Sequence, residues 1–334
     1  MESLAPLRLY PEYRRLLWGG DRLPELLGET PPPGDEPVAE AWLAYGDSVV
    51  AGGPHHGERL RDLIERYRDA LVGHAPMRRH GPVMPLLAKL LDAAAPLSVQ
   101  LHPGDEVAAR RHANSGHLGK TESWRILDAD PGAEVVWGFT RPVSEEEVRR
   151  ALAAGTLAEL LRTVPVAPGE VVHNPPGTVH AIGAGLRLYE LQQASDLTYR
   201  LWDYGRVGAD GSRRELHVDA ALEVADLSGA GEPRPTSRPG LDGWTERVRC
   251  PFYLLEEVRC DDGAVGRTDP AALHLLTVLE GSFELEASEL QAAELEAGGA
   301  RPVELRAGAT VLVPASTGRY RLHGRGTVVR GRPR

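Results

Sequence analysis

Residues of the types that bind divalent metal ions occur at three separated points of the sequence. His102 ends one short apolar segment, Glu122 immediately precedes a second, and His180 lies within a third. Imidazole nitrogen and carboxylate oxygen are common ligands of Zn²⁺, which keeps one coordination position open in catalytic sites. The three residues therefore predict a metal site, provided that the fold brings their segments together.

An amide oxygen offers a fourth donor. Side chains alternate between the two faces of a strand, so Ser98, Gln100 and His102 point to one side of a strand over 97–102. A lone histidine in an apolar strand is more often a packed core residue than a ligand, and spacing alone is not diagnostic. The combination of donors favours a site with two nitrogen and two oxygen ligands.

Composition and charge restrict the classes of protein and partner. The 334 residues suggest about two domains, and the net charge of −10 argues against nucleic acid or an anionic membrane as the main partner. No apolar run reaches the roughly 20 residues of a membrane-spanning helix, and the N-terminal residues lack a signal-peptide core. A cytoplasmic protein is expected, and two cysteines are too few for a disulfide framework.

The 37 Gly and 27 Pro separate short apolar segments, as in a turn-rich β protein. Strands are predicted over 97–102, 123–127, 134–139, 170–174, 178–182 and 186–192. Helices are predicted over 57–72, 85–95, 144–162 and 214–227, the third with a capping box of Ser144 and Glu147. Residues 228–240 are interpreted as a linker. A smaller β domain follows, with strands over 252–258, 273–279, 282–287, 309–313 and 319–323.

Four stretches, taken together and in order, resemble the short bacterial form of the type I mannose-6-phosphate isomerases, also called phosphomannose isomerases. They are LLWGG (16–20), MPLLAKLLDAAAPLSVQLHPGDE (84–106), GKTESWRIL (119–127) and NPPGTVHAIGAGLRLYELQQASDLTYRLWDYGR (174–206). The resemblance is dense from 84 to 206 and weak beyond the linker. The stretch 39–46, AEAWLAYG, matches an early tryptophan motif of the family only loosely.

The resemblance implies a cupin fold, mainly β with helical insertions. A jelly-roll β-barrel with a helical portion, over 1–227, would hold one Zn²⁺ per chain. The linker 228–240 would lead to a degenerate cupin-like β domain without metal over 241–334. The zinc ligands implied by motif match are Gln100, His102, Glu122 and His180, which agrees with the donor set suggested by their chemistry.

The implied reaction is the interconversion of D-mannose 6-phosphate and D-fructose 6-phosphate. A proton moves between C2 and C1 through an enediolate, whose negative charge a divalent cation would stabilise as a Lewis acid. The stretch 190–200 matches the family's active-site segment. It offers Arg200 as an electrostatic partner of the enediolate, with Glu190 or Asp196 as the acid/base group. The choice between the two carboxylates is open.

Lysine is rare in this chain. Of 38 basic residues only Lys89 and Lys120 are lysines, and both lie inside the matching stretches. Lysine carries a compact charge that suits phosphate, whereas arginine is a planar fork. Lys120 is assigned to substrate contact near the metal. Lys89, with Ser98, is assigned to phosphate or hydroxyl binding.

Other functions stay open at this stage. The chain could be a cupin isomerase of another, possibly unphosphorylated, sugar, or a sugar-binding cupin without catalysis. The presence of the whole ligand set together with Lys120 and Arg200 favours an enzyme, and the order of the motifs disfavours an iron-dependent cupin oxygenase. The expected partner is a small sugar phosphate, and the expected oligomeric state is a monomer or homodimer.

Overall fold

The computed structural model describes residues 4–28, 30–208, 211–287 and 302–334. Within these ranges strands dominate and helices are few, which confirms the mainly β class with helical insertions. The strands are β1 (Leu7–Leu9), β2 (Glu12–Gly20), β3 (Val38–Ala44), β4 (Leu86–Ala93), β5 (Val99–Leu101), β6 (Glu122–Ala129), β7 (Glu134–Phe139), β8 (Leu161–Pro165), β9 (Val171–Asn174), β10 (His180–Ile182), β11 (Leu186–Gln193), β12 (Tyr199–Trp202), β13 (Arg238–Pro239), β14 (Thr245–Arg249), β15 (Tyr253–Cys260), β16 (Ala264–Arg267), β17 (His274–Ala287), β18 (Val303–Arg306), β19 (Thr310–Val313) and β20 (Arg319–Pro333). The α-helices are α1 (Leu23–Leu27), α2 (Leu60–Tyr67), α3 (Asp69–Val72), α4 (His74–His80), α5 (Asp105–Arg111), α6 (Glu145–Ala154) and α7 (Val218–Val224).

The strands form three sheets, none of which closes on itself. The order is β2-β3-β4-β11-β6-β9 in a six-stranded sheet and β12-β5-β10-β7-β8 in a five-stranded sheet. The strands β13 to β20 and β1 form a nine-stranded sheet. None of the helices among the described residues has both the length and the apolar character needed to cross a membrane.

The five-stranded sheet turns one face toward the helices and the other toward the six-stranded sheet. Val99 and Leu101 of β5 are fully buried and pack in one cluster with Val148 of α6 and Leu222 of α7. Because side chains alternate along a strand, Gln100 points to the opposite face. The space between the two smaller sheets is therefore where polar side chains collect.

The predicted helix over 85–95 is wrong, because this segment is strand β4. All eight residues of β4 are buried, and it pairs with β3 on one side and β11 on the other. A short apolar run of leucine and alanine cannot be distinguished from a buried helix by its pattern alone. The correction matters for Lys89, which sits in the middle of a sheet and directly opposite Glu190.

Three other predicted helices exist but are shorter than predicted. The helix over 57–72 breaks at Arg68, where φ is +46°, into α2 and α3. The helix predicted over 144–162 begins with the expected capping box of Ser144 and Glu147 but ends at Gly155, which adopts the left-handed conformation. The helix predicted over 214–227 is confined to α7, so that Arg214 lies outside it.

The strands predicted in the C-terminal part are confirmed, although two of the segments merge and one is longer than predicted. The segments 273–279 and 282–287 form one long strand, β17, with a register shift between Val278 and Glu280. The segment predicted over 319–323 extends to Pro333 as β20. The sequence does not predict strands β1, β2, β3, β8, β12, β13, β14, β16 and β18.

The segment 228–240 packs on the part of the chain that precedes it. Pro233 O accepts a hydrogen bond from His173 N at 2.8 Å, and Arg234 pairs with Glu170 at 2.9 Å. Strand β1, from the N-terminal part, pairs with β19 of the nine-stranded sheet. The division into domains at this segment stays a proposal, since hydrogen-bonded strands join the two sides.

Substitution Leu90→Ala in β4 is expected to lower the free energy of unfolding by about 2–5 kcal/mol, because Leu90 is 1% exposed and its removal leaves a cavity. Leu17→Ala, at a leucine that is 57% exposed, is the matched control and should change stability by less than about 0.5 kcal/mol. Urea denaturation measures both. Equal effects of the two variants would contradict the buried position of β4.

Candidate metal centre and active site

Three residues from distant parts of the sequence meet between the two smaller sheets. His102 follows β5, Glu122 begins β6 and His180 begins β10, and each is at most 2% exposed. The Nε2 atoms of His102 and His180 lie 3.3 Å and 3.2 Å from the two carboxylate oxygens of Glu122. One ligand atom from each residue lies within 4.8 Å of the others, so the three can share one cation.

Backbone carbonyls orient both imidazoles. The Nδ1 atom of His102 lies 2.7 Å from Leu197 O, and the Nδ1 atom of His180 lies 2.8 Å from Thr178 O. A carbonyl oxygen only accepts, so each Nδ1 donates its proton and each Nε2 presents a lone pair toward Glu122. Buried acceptors that face one another without a hydrogen bond are costly. Both Nε2 atoms are in this state, and Oε2 of Glu122 also makes no hydrogen bond, although the Lys120 ammonium lies 3.0 Å away. A divalent cation would satisfy all three.

The charge states also suit a cation. Burial, with the nearby Lys120 charge, lowers the pKa of His102 to about 3, so this imidazole is neutral at physiological pH. Burial alone would raise the pKa of Glu122, but Lys120 and the two histidines hold it well below its usual range. Metal ligands must be deprotonated to bind, and His102 and Glu122 already are.

Gln100 lies beside this group, as the sequence predicted. Its Cα is paired with that of His180 across β5 and β10, and directly paired residues project to the same face of a sheet. Its Oε1 accepts a hydrogen bond from Ser98 Oγ at 3.2 Å, and Gln100 lines the cavity next to the metal ligands. Its role as a fourth ligand stays a prediction.

Lys120 and Lys89 are both buried, but their surroundings differ. Lys120 Nζ lies 3.0 Å from Oε2 of Glu122, at the metal centre itself. Lys89 Nζ lies 3.5 Å from Glu40 and 3.6 Å from Glu190. Burial opposes the charge of Lys89, yet the two carboxylates raise its pKa above its ordinary value.

The structure places two residues of β3 near Lys89, Glu40 at the cavity and Trp42 beside it, and sequence reasoning missed Glu40. Glu40 lines the cavity and accepts a hydrogen bond from Trp42 Nε1 at 2.6 Å. The Trp42 ring lies 4.6 Å from Lys89 Nζ, within the range of a cation–π contact. The only available signal was the loose match of the stretch 39–46, whose residues do not indicate by themselves that β3 borders β4.

The two candidate acid/base carboxylates differ in solvent exposure and in hydrogen bonding. Glu190 is 3% exposed, and its Oε1 accepts a hydrogen bond from Trp124 Nε1 at 3.0 Å. Burial and the neighbouring Glu122 raise the pKa of Glu190 to about 7. Asp196, in the loop after β11, is exposed and lines the same cavity.

Arg200 closes another side of the cavity. Its Nε donates to Ser98 Oγ at 3.3 Å, and its Nη1 donates to Glu215 O at 2.9 Å. Arg214 also lines the cavity, although no sequence signal pointed to it, because it lay at the start of a predicted helix. Both arginines are held by the chain segment that follows β12.

The predicted site residues therefore surround one cavity of about 200 Å³. The exception is His102, which reaches the metal centre from behind the cavity wall. The described lining residues include four cations and four carboxylates: Lys89, Lys120, Arg200, Arg214, Glu40, Glu122, Glu190 and Asp196. A larger cavity of about 760 Å³ lies beside β1, α1 and β18, but no histidine or lysine is among its described lining residues. Apart from His102, the candidate catalytic and metal-binding residues therefore line the smaller of these two cavities.

Comparison with known proteins identifies the family. Residues 7–122 match the model of the type I phosphomannose isomerase catalytic domain. The chain is 34% identical to mannose-6-phosphate isomerase ManA of Bacillus subtilis over 328 residues, which cover 96% of this chain and 97% of that protein. The chain belongs to the type I phosphomannose isomerases. Family membership makes it an enzyme of the mannose-6-phosphate isomerase class, as the sequence predicted.

Solved structures confirm the cupin fold of this phosphomannose isomerase family member. The crystal structure of the mannose 6-phosphate isomerase from Bacillus subtilis has a TM-score of 0.84 and 29% identity, covering 98% of this chain and 99% of that one. A mannose 6-phosphate isomerase structure described as bound with zinc and yttrium has a TM-score of 0.73 at 18% identity, covering 99% and 100%. The second likeness concerns the fold alone.

Substitution His180→Ala is expected to remove the metal, because it deletes one of only two imidazole ligands. Purified, dialysed protein of the unchanged sequence should hold about one zinc per chain by mass spectrometry, and the variant less than about a tenth of that. His56→Ala, at an exposed histidine far from this cluster in sequence, is the control and should keep its metal. Full metal content in His180→Ala would contradict the assigned centre.

Proposed function

We propose that the protein is a zinc-dependent aldose–ketose isomerase that interconverts D-mannose 6-phosphate and D-fructose 6-phosphate. The observation that carries the proposal is the buried group of His102, Glu122 and His180, whose unpaired acceptors face one another at the wall of a polar cavity. The family's curated relatives are named for this activity. The proposal includes the cytoplasmic location and the monomeric or dimeric state expected from the sequence.

The residues present fit Zn²⁺. His102, Glu122 and His180, with the amide oxygen of Gln100, would hold the ion through two nitrogen and two oxygen donors. A structural neighbour of the same fold is described as bound with zinc, which supports this choice. When bound, Zn²⁺ supplies Lewis acidity toward the substrate oxygens at C1 and C2.

Positively charged side chains of the protein would stabilise the negative charge that develops during proton transfer. Removal of the proton from C2 of the open-chain aldose leaves negative charge on the C1 and C2 oxygens, and return of the proton to C1 yields the ketose. Lys120, beside Glu122, and Arg200, on another wall, are positioned to donate hydrogen bonds to those oxygens. Fixed donors directed at such charge stabilise it more than solvent does.

Asp196 is the better placed of the two acid/base candidates. Glu190 is engaged by Trp124 on one oxygen and by Lys89 on the other, so its contacts position the cavity wall. Among the described residues, no side chain or backbone group donates a hydrogen bond to the Asp196 carboxylate, which faces the cavity. A carboxylate free to accept a proton and return it is what the reaction requires.

Lys89 and Ser98 are proposed to bind substrate from different walls. Lys89 is neutralised by Glu40 and Glu190, which suits a contact with sugar hydroxyls and disfavours a phosphate dianion. Ser98 is joined to Gln100 and Arg200, and bridges the metal side of the cavity to the arginine side.

The activity is expected to depend on bound zinc. A coupled assay should detect fructose 6-phosphate formed from mannose 6-phosphate, lose that signal after chelation, and regain it when zinc is restored, because the Lewis acid is required. Metal analysis accompanies each step. Unchanged turnover in protein shown to be metal-free would refute the proposal.

Substitution Asp196→Asn is expected to lower kcat by about 100-fold or more, the usual contribution of a general acid/base group. Zinc content should be unchanged, and incorporation of solvent deuterium into the sugar should fall with kcat. Glu190→Gln is the matched comparison, expected to retain deuterium incorporation. Loss of exchange in Glu190→Gln alone would assign the proton transfer to Glu190 instead.

A further inference from the structure

The charges around the substrate cavity are segregated. On one wall, Lys89 lies between Glu40 and Glu190, so its positive charge is offset by carboxylates. On another wall, Arg200 and Arg214 line the cavity. A dianionic group entering the cavity gains little from Lys89 and is attracted to the two arginines.

The wall with Arg200 and Arg214, here called the arginine wall, forms where the segment after β12 folds back and bonds to that strand. His217 N donates to Arg200 O at 2.7 Å, and Arg200 N donates to His217 Nδ1 at 3.1 Å. Arg200 Nη1 donates to the carbonyl of Glu215, the neighbour of Arg214. These bonds fix the backbone that follows Arg214 relative to Arg200, so the two arginines are held on the same side of the cavity.

Asp203 orients Arg214 without cancelling the positive charge. Asp203 is 5% exposed and accepts hydrogen bonds from Arg214 Nε at 2.8 Å and from Arg206 Nε at 3.1 Å. One carboxylate thus serves two arginines, with Arg200 close by as a third. Burial lowers the pKa of Arg200, and the charges of Arg214 and Arg206 add to this effect. An anion beside the three arginines would relieve their mutual repulsion.

We infer that Arg214 binds the phosphate group of the substrate at the mouth of the cavity and thereby selects phosphorylated sugars. The inference rests on the proposed function and adds to it the residue that recognises the phosphate. Asp203 engages the Nε–Nη2 edge of the Arg214 guanidinium, and the remaining Nη1–Nη2 edge can match a phosphate through two parallel hydrogen bonds. The Arg214 side chain is 41% exposed, so a phosphate held there keeps part of its hydration while C1 and C2 reach the metal centre.

The test compares three variants of the zinc-loaded enzyme: Arg214→Ala, Arg214→Lys and Arg213→Ala. Arg213 is the adjacent exposed arginine, and its removal changes the net charge equally. The readouts are kcat and KM for mannose 6-phosphate and the inhibition constant of inorganic phosphate. Arg214→Ala should raise both KM and the inhibition constant roughly 10- to 100-fold, as expected for a lost charged hydrogen bond, with kcat nearly unchanged.

The control variants complete the expectation. Arg214→Lys should recover part of the loss, since it restores the charge but not the fork, and Arg213→Ala should stay within about twofold in both constants. An unchanged KM in Arg214→Ala, or an equal effect of Arg213→Ala, would overturn the inference.

A failure of the proposed function itself is recognisable separately. In that case the unchanged zinc-loaded enzyme would not convert mannose 6-phosphate at all. Calorimetric titration with inorganic phosphate then tests the arginine site alone. Binding weakened by Arg214→Ala but not by Arg213→Ala supports the site, and equal binding by all variants rejects it.

Discussion

The functional site depends on one interaction, in which the lone pairs of two imidazoles are directed at a buried carboxylate and neither imidazole Nε2 nor Oε2 of the carboxylate makes a hydrogen bond there. His102 and His180 are locked by carbonyl acceptors, so their Nε2 atoms cannot turn away from Glu122. Burial of such a group of acceptors destabilises the fold unless a cation binds between them. Lys120 supplies one positive charge beside Glu122, and a divalent ion would satisfy the lone pairs of the two imidazoles and the carboxylate.

The same requirement explains why two sheets are involved. Glu122 comes from the six-stranded sheet, whereas His180 and the residue opposite it, Gln100, belong to the five-stranded sheet. Helices cover the apolar back of the five-stranded sheet and leave its polar face to the cavity. Charged residues differ along the walls, with carboxylates around Lys89, and with Arg200 on β12 and Arg214 on the segment that follows it. Under the proposed function, the two ends of the substrate would meet different charges.

The two lysines show how much residue type alone can predict about a functional site. Their rarity drew attention to both positions, and both are buried in the cavity wall. Lys120 lies where the motif implied. The sequence predicts a helix around Lys89. Only the register of β4 against β3 and β11 shows that Glu40 and Glu190 lie beside Lys89 and neutralise its charge. An isolated charge that suggested phosphate becomes one member of a group of three, because the neighbours come from other strands.

The sequence alone determined the family, the mainly β class, the capping box at Ser144 and the metal-ligand candidates, because these depend on residue type, local alternation and motif order. The tertiary structure decided the rest. A leucine-rich segment became a central strand since burial on both faces outweighs its local helical pattern. Pairing of distant strands brings Glu40 to the cavity and Trp42 against Lys89, and a loop that folds back brings Arg214 to the cavity. Such long-range contacts leave no local trace in the chain.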